Sequence, residues 1–125
     1  MPRASEAAAG GDELRRSVEK ALARDDPAEL QQLVGRVAHE APDRRWAEIV
    51  CARLAQHRNA TVRGDALACL GHLARRFGQL DRRRVQRLVE NGLHARHEYV
   101  RAQAESAADD LETYLAWSFD RPRVS

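Results

Sequence analysis

Apolar and small residues recur three and four positions apart in six stretches of this chain, and each stretch is bounded by residues that start or stop helices. The best-marked one runs from Arg58 to Phe77, RNATVRGDALACLGHLARRF. Val62, Ala66, Cys69, Leu70, Leu73, Ala74 and Phe77 share one face of a 3.6-residue helix. Asn59 and Thr61 are capping types, whose short side chains accept bonds from the orphan N–H groups of a first turn. Gly78 stands where a helix commonly ends in a left-handed turn.

The other five stretches follow the same logic. Asp12 predicts the start of a first helix over Glu13 to Arg24, with Leu14, Val18, Ala21 and Leu22 inward. Asp25-Asp26-Pro27 is a restart signal, a capping acid before a proline at the first helical position. The second helix then runs to about Glu40 on Leu30, Leu33, Val34 and Val37. After the break at Ala41-Pro42, a third helix from Asp43 to His57 presents Trp46, Ile49, Val50 and Leu54, with Trp46 as a core anchor. Asp81 caps a fifth, with Val85, Leu88, Val89 and Leu93 inward and a last turn weakened by Asn91-Gly92. The sixth starts near Glu98 and runs to about Trp117. No stretch alternates apolar and polar residues long enough for a strand, so the expected class is all-α. Short connections make neighbouring helices antiparallel, in three pairs.

Arg63 breaks the central stripe. It falls at about 100° on the helical wheel from Val62, between Leu70 and Ala74. A guanidinium at an apolar edge is costly unless a neighbouring element supplies partners. The pattern occurs twice: Val100-Arg101 stands 38 residues after Val62-Arg63, with Ala66 mapping to Ala104, Leu70 to Ala108 and Leu73 to Leu111. A helix-pair repeat with a period near 40 is the signature of a HEAT or armadillo array. The Val-Arg followed by Ala66, Leu70 and Gly71 resembles the second helix of a HEAT repeat, and the resemblance covers about half the chain clearly. It implies a short right-handed HEAT-like α-solenoid of about six antiparallel helices, with the first pair as a degenerate cap and Arg63 and Arg101 as the repeat ladder.

Length sets one domain, with a helical body over residues 12–119, a mobile leader over 1–11 and a loose tail over 120–125. The net charge of +2 gives no global field of the kind a general nucleic-acid binder carries. Cys51 and Cys69 fall at or near apolar stripes and read as buried reduced thiols. No apolar run approaches membrane-spanning length and no charged-then-apolar leader opens the chain, so the expected location is the cytoplasm.

Candidate chemistry is sparse. Phosphate loops, nucleophile elbows and zinc-protease motifs are absent, so no enzyme activity and no cofactor are expected. His94, His97 and Glu98 straddle a loop without further ligands, which reads as a solvated turn and no metal site. His72 lies opposite the main stripe of the central helix. Gly64, Ala68, Gly71 and Arg75 form a small-residue strip, either a close packing surface or a shallow groove for a partner. Charge is segregated. Eight arginines stand between Arg75 and Arg101 against three acids, whereas Glu105, Asp109, Asp110, Glu112 and Asp120 follow without a base until Arg121. Glu105, Asp109 and Glu112 share one side of the sixth helix, as an ordinary solvated face or as an acidic ridge for a partner.

VRGDALACLGHLARRFGQLD followed by YVRAQAESAADDLETYL also resembles the small HEAT-type immunity proteins of bacterial contact-dependent and polymorphic toxin systems. That resemblance implies a protein partner, a cognate toxin domain, often a nuclease, whose active site is blocked. Glu105, Asp109, Asp110 and Glu112 would meet a basic cleft with Trp117 as apolar anchor, and His72 and Arg75 would join the binding face. Two rivals differ in partner: a HEAT adaptor for several proteins, and a nucleic-acid module using the Arg75–Arg101 band. Asp81 and Glu90 beside that band, and its lack of interleaved aromatics, make nucleic acid the weaker expectation.

Overall fold

The computed structural model describes residues 4–121, with side chains from Gly11 onward. It is all-helical: α1 Ala4–Arg24, α2 Pro27–Glu40, α3 Arg44–Leu54, α4 Ala60–Phe77, α5 Arg82–Leu93 and α6 Glu98–Leu115. Four of the starts are set by the capping residues legible in the sequence. Asp26 accepts from the Ala28 N–H, Asp43 from those of Arg45 and Trp46, Asn59 from Val62 and Asp81 from Arg84. The first start differs from expectation. Residues 1–3 of the expected leader lie outside the described residues, and α1 begins at Ala4, so Asp12 is interior and caps nothing. Alanine is the strongest helix former, and Ala7 to Ala9 carry the helix across the unfavourable Gly10-Gly11 pair. The sixth helix stops at Leu115, short of Trp117, because Ala116 turns left-handed at φ 56°.

The repeat seen in the sequence is repeated in the backbone. α4 and α6 begin and end 38 positions apart. Their N-caps, Asn59 and His97, have the same φ of −79° and ψ of 122°, and their C-caps, Gly78 and Ala116, are both left-handed. Arg63 and Arg101 find the same partners in each copy. Nη1 of Arg63 donates to the carbonyls of His57 (3.1 Å) and Arg58 (2.9 Å), and Nη1 of Arg101 to those of Ala95 (2.8 Å) and Arg96 (2.7 Å). The neighbouring element that satisfies each arginine is thus the turn leading into its own helix. These charge-assisted bonds tie each turn to the helix that follows it.

α4 is the hub. It packs against α2, α3, α5 and α6, while α1 packs on α2, α3 also meets α2 and α5, and α5 also meets α6. The second helices therefore form a row, α2–α4–α6, with α4 in the middle. Leu67, Leu70, Leu73 and Ala74 of α4, Val34 and Val37 of α2, and Ala104, Ala108 and Leu111 of α6 are buried in one core. α1 reaches α3 through Arg15, which binds Asp43 at 2.8 Å and stacks its guanidinium 5.1 Å from the Trp46 ring centroid. Trp46 is half-buried, packed against the edge of the core without being enclosed in it. Ile49 is also displaced from its expected place and is 52% exposed. The inward stripe of α3 is Ala47, Val50, Cys51 and Leu54, and Ile49 stands about 200° around the wheel from Ala47.

The small-residue strip on α4 is a packing surface. A Cβ on Gly64 would lie 2.7 Å from the Tyr99 ring, and one on Gly71 would lie 2.6 Å from Asp110 Oδ2 and 3.3 Å from the Ala107 backbone. These glycines let α6 approach closely. Gly35 in α2 differs, with nothing within 4 Å of an added Cβ. Gly35→Ala is expected to stabilise the fold by about 0.5–1 kcal/mol through helix propensity alone, read as a higher denaturation midpoint at unchanged slope. A lower midpoint would show contact that this geometry lacks.

Cys51 and Cys69 are free and buried, as expected. The Cys69 Sγ donates to the Val34 carbonyl at 3.4 Å. A hydrogen bond with Cys69, together with burial, pushes the Cys51 thiol well above its ordinary range.

Candidate functional site

The exposed edges of α2, α4 and α6 meet in a polar and aromatic seam that crosses all three helices. His39 of α2 lies against His72 of α4, ring centroids 5.1 Å apart. Arg75, a turn further along α4, donates through Nε to the Tyr114 hydroxyl of α6 at 3.1 Å, with its guanidinium 5.4 Å from that ring. At the other end of the seam the Tyr99 hydroxyl of α6 donates to Asp65 of α4. That bond, with burial, raises the Tyr99 phenol, which stays a donor throughout the neutral range. Asp110 sits between these two contacts, against Gly71. Tyr114 is 43% exposed, and Arg75 and His39 are also exposed.

The candidate residues divide into three groups. His72, Arg75 and Asp110 come together in this seam. Asp109 and Glu112 lie apart from it and are bound by Arg121, whose Nη2 donates to Asp109 Oδ1 at 2.6 Å and Glu112 Oε1 at 2.9 Å. Glu112 and then Asp109 raise the arginine in return. The acidic ridge is thus partly neutralised by the segment that follows α6, and Glu105 is exposed with no ion pair among the described residues. Trp117 is 9% exposed, 6.4 Å from Phe119, with the Arg82 guanidinium 5.7 Å from its ring. It is buried as part of the core, not exposed beside the acidic residues where the resemblance places it. The segment after Leu115 folds back because Ala116 reverses the chain, which returns an apolar ring to the α5 side. Arg121 is therefore held by Asp109 and Glu112 where a loose tail was expected, and 122–125 lie outside the described residues.

Sequence reasoning missed Tyr99, Tyr114 and His39. The signal was present for one of them, since Tyr114 stands four after Asp110 on the same face of α6. His39 and Tyr99 join the seam through contacts between residues more than thirty apart, which no local pattern displays. His97 serves as a cap, its Nδ1 accepting from the Tyr99 N–H at 3.2 Å. Among the described residues no group of three His, Cys, Asp or Glu could hold a metal ion. No described helix is long and apolar enough to cross a membrane.

No protein-family model matches the sequence, and no curated protein or solved structure matches it either. The resemblance to HEAT repeats therefore rests on the Val-Arg motif, its period and the residues quoted with it.

Proposed function

We propose that this protein acts by binding another protein on the α2–α4–α6 seam, as a short HEAT-type module without chemistry of its own. The observation that supports this reading is the continuous row His39, His72, Arg75, Tyr114, held by contacts that cross three helices. Tyrosine and arginine are the side chains that dominate the energetics of protein interfaces. Here they are preorganised on rigid helices, so little rotamer entropy is lost on docking. By its resemblance to HEAT-type immunity proteins, we take the partner to be a cognate toxin domain that is neutralised in the cytoplasm.

The test is affinity capture from cells of the source organism, followed by titration of the captured partner. Tyr114→Ala with Arg75→Ala is expected to weaken binding by about 2 kcal/mol or more, roughly thirtyfold. Glu105→Lys, on the other side of α6, should change affinity by less than about 1 kcal/mol. A single toxin-bearing partner supports the immunity reading, and several unrelated partners support an adaptor. Affinity untouched by the seam variants but lost with Glu105→Lys would remove the seam and restore the acidic ridge.

A further inference from the structure

A second surface lies on the α3–α5 side of the molecule, away from the seam. Two depressions adjoin there and share Gln56 and Leu88. The first is a pit of about 150 Å³ at the junction of α3, α4 and α5, with Ala55, Leu67, Leu88, Gly92, Ala95 and Val100 as its apolar lining and Gln56, Arg63 and Asn91 as a polar remainder. The second is a notch of about 350 Å³ with Arg83, Arg84 and Arg87 on its walls. An apolar cavity of about 150 Å³ takes a group the size of benzene.

The charge in the notch is compensated only in part. Arg83 and Arg87 make no ion pair or hydrogen bond with any side chain among the described residues. Arg84 is only loosely engaged, 3.7 Å from Glu48 and 3.9 Å from Asp81. The two acids that flank this run in the sequence leave Arg83 and Arg87 without a partner. Asp81 also lines the notch, and its Oδ1 accepts from the Arg84 N–H at 3.3 Å as the cap of α5. Glu90 accepts from Gln86 Nε2 at 3.0 Å, one turn back along α5. α3 and α5 with their caps carry seven arginines against four acids, and α6 carries one arginine against five. The positive charge of the chain is thus concentrated on the side that holds the notch.

We infer that this surface docks an acidic peptide segment of a protein, which places one aliphatic side chain in the pit and neighbouring carboxylates on Arg83, Arg84 and Arg87. Charge complementarity selects an anion, and the forked guanidinium matches a carboxylate in bidentate geometry. The pit selects a peptide over nucleic acid. A phosphodiester strand has no aliphatic side chain to fill it, and no aromatic ring lines the notch to stack a base. This docking does not depend on the seam, and a partner could engage either surface alone.

The test is fluorescence anisotropy of the full chain with a short labelled peptide in which a leucine is followed by glutamates. Two probes are compared with it, the same peptide with serine for leucine and a labelled oligothymidine. The leucine peptide is expected to bind best, with the serine peptide weaker by about tenfold, the loss of one buried leucine side chain. Arg83→Glu with Arg87→Glu should cost about tenfold or more, whereas Arg16→Glu with Arg36→Glu, the same charge change on α1 and α2, should not. Arg83→Gln with Arg87→Gln serves as a milder pair, with circular dichroism confirming the fold of each variant. Ala95→Leu, which fills the pit, should abolish the preference for leucine and leave the serine peptide unchanged. Equal binding of the two peptides, tighter binding of the oligothymidine, no binding of either peptide, or occupation of the surface by a second copy of the chain in sedimentation would each overturn the inference.

Discussion

Glu48→Ala is expected to destabilise the protein by about 3 kcal/mol, as the loss of one partner of a buried ion pair. Glu48 is 1% exposed and is the buried charge of the described core. Its Oε2 accepts from Arg44 Nη1 at 2.6 Å, its Oε1 accepts from the Asp81 N–H at 2.7 Å, and Arg84 stands 3.7 Å away. One carboxylate thereby ties α3 to the first residue before α5. Alanine would leave the Asp81 N–H without its acceptor, Arg44 without its counter-charge and a void where the side chain stood. Arg44 is 23% exposed and can turn toward water, which keeps the expected loss at the low end of the range for a broken buried pair. Glu48→Gln retains an acceptor for Asp81 and should lose about half as much. Denaturant titration of the three proteins checks this. A loss below about 1 kcal/mol for Glu48→Ala would mean that the α3–α5 contact stands on apolar packing alone.

Gly92→Ala is expected to cost about 1–2 kcal/mol, although alanine is the better helix former. A Cβ on Gly92 would lie 2.7 Å from Leu67 Cδ1 and 2.8 Å from the Ala104 Cβ. Both neighbours are buried in the core, Leu67 at 2% exposure and Ala104 at 0%, so neither can swing into solvent. Overpacking at the upper part of its range, about 2–3 kcal/mol because both contacts are with enclosed core atoms, is set against about 1 kcal/mol of gained propensity. Leu67→Ala should partly rescue the variant by opening space beside it, and the double-mutant cycle measures the clash directly. An unchanged or raised midpoint for Gly92→Ala would show that α5 shifts freely on α4.

Local chemistry made much of the fold legible. Asp26, Asp43, Asn59 and Asp81 cap helices because a short acceptor acts on N–H groups two or three residues away, and such an interaction is written in consecutive residues. The duplicated Val-Arg was legible for the same reason, since Arg63 and Arg101 bind carbonyls five and six residues back. What escaped the sequence depended on distant elements. Glu48 is inward because the start of α5 meets it, and Ile49 is outward because Ala47 takes the core position. Trp117 is buried because Ala116 adopts a conformation that alanine disfavours and tertiary packing enforces. Of the candidate site, His72, Arg75 and Asp110 were visible as residues, but the seam that joins them to His39 and Tyr114 was not. The acidic ridge was visible in full, yet its pairing with Arg121 was a matter of where the chain turns after α6.

The buried thiols give the molecule a built-in clock. Alkylating reagents attack the thiolate, and Cys51 in the folded state is both enclosed and held protonated. Modification therefore waits for α3 and α4 to part, and its rate under dilute reagent counts those openings without any added label. Cys69 is buried as well, which keeps the background low for a probe placed by design. An outward position such as Ile49 can carry an engineered thiol, and the fluorophore attached there will report on that place alone.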